Sequence, residues 1–541
     1  MNDLGKGPQI RIGLALSGGG FRASAFHLGV LKRLEEFGIL CRIEMLSCVS
    51  GGSLTGSLYA LRCAQSGRGA PGAFSVDALI AELYPVVTEN LRARALFGNP
   101  LRGLQALASV VSPRISRIGL MVAELDRQLY KGATLDMLPS WIVINATNLR
   151  TGKAWKFFDT RAGDYLTGAT DKTSKIRIAQ AVAASAAYPL LTDSYAFVTR
   201  WEDLRADLLT GDRWERVAQG RPGGVSPWRE RYGKAKGTVV FPLVDGGLYD
   251  NEGANGLRGS KVTHAILSGV TAPESDHQAG FGFRRLLRLV EVMHSRLGAA
   301  TRQLTHEMTH GVSPRDAEIA ADSLASDLQN LSESEELPQS LRARLAGFAR
   351  RAKAIRAVGI PRRGPQFAAS AQILLHRKEL AENAFASDEA GPIDVPPQFR
   401  GLDPSLVAEL SRVRTDFDAL EPDVVELLIA QGYFLTDLFV KQGMPGLVSA
   451  DSESDWYADK LAPLWPRAHT AVKAANTNQA ATVARLKTAA EIQVLIGRVA
   501  NVRQWLVFRF VMLLVAGIAV AIVAFLSRSA NLLVSMISKW F

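Results

Sequence analysis

The chain has 541 residues, 47% of them hydrophobic and 21% charged, a composition ordinary for a folded protein and wrong for a disordered or low-complexity one. At about 100–200 residues per domain it holds two to four domains or one large decorated domain. Lys and Arg number 63 against 52 Asp and Glu, a net charge of +11 that favours an anionic partner, and three cysteines, Cys41, Cys48 and Cys63, exclude a disulfide framework and suit a reducing compartment.

Met1–Ile10 is polar and lacks the apolar run of a signal peptide. Ile12–Leu16 is a short apolar run that stops at Ser17-Gly18-Gly19-Gly20, after which Phe26, Val30, Leu31, Leu34 and Phe37 recur at helical spacing. Met45–Val49 is a second such run. It ends at Ser50-Gly51-Gly52, and Leu54, Leu58 and Leu61 follow. Strand, glycine turn and helix repeated in this way predict a parallel α/β sheet. Trp141–Asn145, Thr238–Val244 and His264–Ser268 read as further strands.

Residues 281–360 are helical in pattern and rich in charge, with Ser332–Gln339 a polar loop. Residues 386–404 carry Pro392, Pro396, Pro397 and Pro404 and read as a connector; residues 405–442 return to helical periodicity, and 455–500 are Ala-rich and helical. No internal repeat is present. Phe510–Leu526 holds 17 residues without a charge, close to the roughly 20 that span a bilayer. No Asp or Glu occurs from Ile492 to Phe541. Arg498, Arg503 and Arg509 precede the apolar run and Arg528 and Lys539 follow it, which predicts a membrane segment with the body of the chain on the cytoplasmic side.

Three turns carry chemistry. Ser50 stands where a strand stops and a helix begins, a position that exposes a side chain above a sheet edge and aims it at a helix N-terminus. The surrounding Cys48-Val-Ser50-Gly-Gly52 is close to the pattern G-x-S-x-G, with Cys48 at the first glycine position. On these residues alone Ser50 reads equally as a nucleophile and as a helix N-cap. The loop Gly18-Gly19-Gly20-Phe21-Arg22 also joins a strand to a helix, and its N–H groups suit an anion: an acyl oxyanion or a phosphate. No Gly-Lys-Ser/Thr follows, which disfavours a P-loop. None of the eight histidines sits in a glycine-flanked turn at a strand end, whereas Asp245 does, in Val239–Gly247. An Asp there takes a serine proton directly if the site is dry enough; otherwise it is an ordinary turn.

The segments Ile12–Ile39, Leu46–Leu61 and Asp245–Gly253 resemble the patatin-like phospholipase family. Val143–Gly152, Ala181–Pro189 and Arg414–Gly432 agree in order, so the resemblance covers residues 10–270 and, loosely, 405–440. It implies a doubly wound, mostly parallel α/β fold and a Ser–Asp dyad without histidine. It also implies a reaction that needs no metal or cofactor and a membrane phospholipid as substrate. Carried over by position, Ser50 is the nucleophile and Asp245 the base. Gly18, Gly19 and Gly20 then build the oxyanion hole, with Arg22 supporting the loop. The expected organisation is a catalytic core over 1–275, a helical insertion and connector over 276–400, core helices over 401–445, a helical linker over 446–500 and a membrane anchor over 501–541.

Two other functions compete. His306-Glu307-Met-Thr-His310 matches the zincin pattern H-E-x-x-H, with only Glu318 as a third ligand, and would make the chain an anchored zinc metallopeptidase. A non-catalytic membrane scaffold is the third reading. The basic run from Arg342 to Arg363 has only Phe348 among aromatics and therefore no stacking platform for nucleic acid; it reads as a face turned to solvent or anionic lipid. Oligomeric state is not legible.

Overall fold

The structure is a computed structural model. It describes residues 10–111, 116–188, 192–205, 236–258, 262–270, 369–375, 402–414, 417–448 and 466–490, with isolated positions at 208, at 260 and from 506 to 517. Apart from 369 and 370, these residues belong to one compact unit.

Its centre is a mostly parallel sheet. Strand β1 (Ile12–Leu16) is buried at every residue, as expected of a continuous apolar run covered on both faces. It pairs in parallel with β2 (Ile43–Val49), and β2 pairs in parallel with β3 (Ile142–Asn148). Beyond β3 lie β4 (Lys153–Phe157), β5 (Ala162–Asp164) and β6 (Gly168–Thr170), all antiparallel. Strands β7 (Tyr195–Arg200) and β8 (Thr238–Asp245) form an antiparallel pair, and β8 docks antiparallel on the end of β3. On the other side of β1 come β9 (His264–Gly269), parallel to it, and then β10 (Ala369–Leu374).

The register aligns the strand ends. Leu16 stands opposite both Cys48 and Ser268, and Val49 opposite Asn145. The turns after β1 and β2 therefore open on one edge of the sheet. In an open α/β sheet, that carboxyl edge is where ligands bind.

Two helices leave that edge, α1 (Gly20–Glu36) after β1 and α2 (Gly51–Gln65) after β2. The long helix Pro422–Gly443 crosses α1 with its backbone almost in contact. A Cβ on Gly29 would meet the Ile429 carbonyl, and one on Gly432 would meet the Phe26 carbonyl. Only a pair of glycines admits this crossing. A buried ion pair, Arg33 Nε to Asp437 Oδ1 at 2.8 Å, fixes the same two helices. On the antiparallel side, the ring of Trp155 lies 5.0 Å from Phe197 and 5.1 Å from Phe241, closing a second apolar cluster.

All five strands expected from the sequence are present. The fold differs from the expectation in the antiparallel half, where β4, β5, β6 and β7 carry no strong periodicity. It also differs at β10, which lies in a stretch read as insertion and connector. The rest of that stretch, 276–368 and 376–400, lies outside the described residues. So do most of the expected membrane segment Phe510–Leu526, residues 449–465 and 491–500 of the expected linker, and 501–505. Among the described residues no helix is long and apolar enough to cross a membrane.

Candidate active site

Ser50 is the first residue after β2 and has φ 49° and ψ −117°, the left-handed side of the map where a non-glycine residue is strained. Such strain costs on the order of 1–3 kcal/mol and persists only where the surroundings over-determine it. Here they do. The Ser50 N–H donates to Ser185 Oγ at 2.8 Å, and the Ser50 carbonyl accepts the first bonds of α2 from Ser53 and Leu54 at 2.9 and 3.2 Å. The Gly52 N–H reaches back to the Ser17 carbonyl at 3.2 Å, joining this turn to the glycine loop. A side chain on Gly51 would strike the Gly20 carbonyl, so the two turns touch through backbone alone.

The departure at Cys48 has a local explanation. A Cβ on Gly56, one turn into α2, would collide with Cys48 Sγ, so the thiol occupies the room that Gly56 leaves. Burial pushes its pKa up, and it is an inert packing group.

Asp245 ends β8 and faces Ser50. The Ser50 hydroxyl acts on its carboxylate, lowering the pKa that burial raises, and the carboxylate Oδ1 accepts the Gly247 N–H at 2.7 Å. Ser50 is 4% exposed and Asp245 3%. Burial raises the Asp245 pKa from 3.8 to about 6, against the lowering effect of the Gly247 amide and the Ser50 hydroxyl. A carboxylate raised in this way is a stronger base than a solvated one and stays ionised at neutral pH.

The glycine loop closes the other side. Gly19 (φ 145°) and Gly20 (φ 56°) both take left-handed backbone that favours glycine. Their N–H groups stand at the N-terminus of the 17-residue α1 and have no acceptor among the described residues. Gly18 differs from the expectation. Its N–H donates to the Asn251 carbonyl at 3.0 Å, so its amide is committed to tying the loop to the turn after β8. Arg22 differs too. Its guanidinium donates to the Ser411 and Val413 carbonyls at 2.5 and 2.7 Å, clamping the first turn of α1 to the segment before the long helix.

His27 lies beneath the loop. Its Nε2–H donates to the Ser17 carbonyl at 3.0 Å, which leaves Nδ1 to accept from Ser268 Oγ at 2.8 Å. Burial lowers its pKa to about 4, so the ring is neutral, and both nitrogens are spent on structure. The motif residues His306, Glu307 and His310, the candidate ligand Glu318 and the basic run from Arg342 lie outside the described residues. Among the described residues no cluster of three metal-ligating side chains occurs.

Two residues of the site were missed in the sequence. Ser185 ends the helix Ile178–Ser185 and touches the Ser50 backbone; Asn251 supplies the carbonyl that holds Gly18 and sits with Oδ1 between Gly18 and Gly247. Both fall in segments that carry the family resemblance, Ala181–Pro189 and Asp245–Gly253, so their position was available but their role was not.

Residues 14–257 match the family model described as patatin-like phospholipase. No curated protein matches the sequence. Among solved structures the chain is similar to human GIVD cytosolic phospholipase A2 in complex with methyl gamma-linolenyl fluorophosphonate, at 12% identity and a TM-score of 0.35, over 90% of this chain and 61% of that one. The chain thus spans about three fifths of the length of that structure. VipD from Legionella pneumophila matches at 12% identity and a TM-score of 0.20, over 92% and 93% of the two chains. ExoU of Pseudomonas aeruginosa, in complex with SpcU, matches at 14% identity and a TM-score of 0.16, over 90% and 91%. At these scores the likeness carries no argument about the site.

Proposed function

We propose that this chain, whose residues 14–257 are a patatin-like phospholipase domain, is a lipid acyl hydrolase that cuts carboxylic esters of membrane lipids through an acyl-enzyme on Ser50. The observation that carries the reading is the strained Ser50 beside the buried Asp245, whose pKa its hydroxyl lowers, at the edge of the sheet where the glycine loop also opens. Asp245 takes the Ser50 proton as Oγ attacks the ester carbonyl. The new oxyanion meets the Gly19 and Gly20 amides, with the N-terminus of α1 behind them. Collapse of the tetrahedral intermediate expels the alcohol, which leaves with the proton from Asp245. Water then enters, Asp245 takes its proton, and the acyl group departs as a carboxylic acid while Ser50 is restored.

Membrane attachment through the C-terminal segment is part of the proposal. At 506–517 the described residues are helical, and Leu506, Phe510, Leu513 and Leu514 expose 55%, 53%, 72% and 38% of their surface. A row of large apolar side chains facing outward calls for an apolar partner, and a bilayer places the hydrolase beside its substrate. The test is hydrolysis of phospholipid vesicles by the full chain: wild type releases fatty acid and Ser50→Ala does not. Full release by Ser50→Ala would reject the reading.

A further inference from the structure

The proposed chemistry needs two turns from distant parts of the chain held in register, and one residue touches both. Ser185 is fully buried at the end of the helix Ile178–Ser185. Its hydroxyl donates to the Asn145 carbonyl at 2.6 Å, accepts the Ser50 N–H at 2.8 Å and accepts the Ser53 hydroxyl at 2.9 Å. One donor bond and two acceptor bonds saturate it. Its carbonyl accepts the Gly246 N–H at 3.1 Å, and two residues on, the Ala187 carbonyl accepts the Asp245 N–H at 3.0 Å. Asn145, its third anchor, is the β3 residue opposite Val49, and its Nδ2 donates to the Cys48 carbonyl at 2.9 Å.

We propose that Ser185 is a positioning residue that holds the Ser50 backbone in its strained conformation and sets its distance to Asp245. The inference rests on the Ser–Asp reading above. Its physical content is that a shift of the Ser50 backbone carries Oγ with it. At φ 49° the residue relaxes toward ordinary backbone unless its N–H is held, and the only hydrogen bond made by that N–H among the described residues is to Ser185 Oγ. Relaxation moves Oγ away from the carboxylate. A misplacement of about 1 Å at a reacting atom is worth on the order of a hundredfold in rate.

Two consequences separate positioning from plain stability. The Ser50 hydroxyl lowers the Asp245 pKa, and only the Gly247 amide lowers it alongside, against the raising effect of burial; no ionised side chain among the described residues shares in the shift. Moving the Ser50 hydroxyl away therefore raises the Asp245 pKa, and the acid limb of the pH–rate profile moves to higher pH. Substrate contacts are untouched, so kcat falls while KM holds.

The experiment compares wild type, Ser185→Ala and Ser50→Ala on a short-chain ester, with active sites counted by covalent titration with a fluorophosphonate. Ser185→Ala is expected to keep its titratable sites, to lose about 10–100-fold in kcat per site at constant KM, and to show the upward shift of the acid limb. Wild-type kcat per titrated site with an unmoved limb would overturn the proposal. Should Ser185→Ala fail to fold, Ser185→Cys retains the volume with a poorer acceptor and must show the same upward shift; an unmoved limb again overturns it. Ser50→Ala separates the two levels. If it is active, the dyad reading itself fails; if it is dead while Ser185→Ala behaves as wild type, only the role of Ser185 fails.

Discussion

The Ser50 hydroxyl lowers the pKa of the Asp245 carboxylate although Ser50 follows β2 and Asp245 ends β8, two strands that each pair with β3. Both are almost wholly enclosed, and no histidine ring intervenes among the described residues: His27 spends both nitrogens on Ser17 and Ser268. On the proposed reading the pair makes its own acid–base chemistry, and its pH behaviour follows from burial.

With Asp245 as the proposed base, ester hydrolysis requires its ionised form, and its pKa is raised to about 6. Accordingly kcat/KM should climb through about pH 6 and level off above it. His27, lowered to about 4 by burial, is neutral throughout that window and contributes no second limb. A profile that rises instead near pH 7 and disappears on substitution of a histidine would point to a different base.

The same shift makes a stability prediction. The carboxyl binds its proton more tightly folded than unfolded, so ionising it costs stability as pH rises from about 4 to about 6, and above 6 the full cost is present. Two pKa units correspond to about 3 kcal/mol. Asp245→Asn should thus be inactive yet at least as thermally stable as wild type at pH 8, with the advantage fading below pH 6. Thermal unfolding at several pH values reads this directly. A large loss of Tm at pH 8 would mean that Asp245 is held as part of a favourable ionic network.

Gly19→Ala and Gly20→Ala should each lower turnover by on the order of 10²–10³, because a Cβ is strained at these positive φ angles and displaces an oxyanion donor. Gly18→Ala acts by another route, since its Cβ would lie 2.5 Å from Asn251 Oδ1 and would push apart the loop and the turn that carries Asp245. Its loss should be partly recovered by Asn251→Ala, which vacates that space. Steady-state rates of the single and double variants decide between the two routes.

Much of this site was readable from the chain. Ile12–Leu16 and Met45–Val49 are short apolar runs that stop at glycine turns, and a parallel pairing puts both turns on one edge. The short antiparallel strands β5 and β6 were not readable: Ala162–Asp164 and Gly168–Thr170 have three residues each, too few for a period to show. The glycine loop was legible as a donor loop, but not the division of labour within it. Gly18 is spent on a carbonyl supplied by Asn251, and no spacing rule announces a backbone bond between residues so far apart. Ser185 escaped for the same reason. A serine at the end of an Ala-rich helix looks like filler until its hydroxyl is found among Ser50, Ser53 and Asn145.

Removal of the chain after Gly497 deletes Leu506, Phe510, Leu513 and Leu514 together with the apolar run that follows. The truncated protein should still cleave dispersed short-chain esters, because no residue of the site is lost, while its rate on phospholipid vesicles falls. Carbonate extraction checks the other half of the claim: full-length chain stays with the membrane fraction. Equal rates on vesicles with and without the tail would show that the segment does not bring the site to lipid.

The most direct test of the account is covalent capture of the nucleophile. Full-length protein is treated with a fluorophosphonate, and the adduct is located by peptide mass mapping while vesicle hydrolysis is followed in parallel. The account predicts one adduct, on Ser50, formed at the rate at which hydrolysis is lost, absent in Ser50→Ala, strongly slowed in Asp245→Asn and indifferent to a metal chelator. An adduct on another residue, or labelling of Ser50 at the wild-type rate in Asp245→Asn, would contradict it.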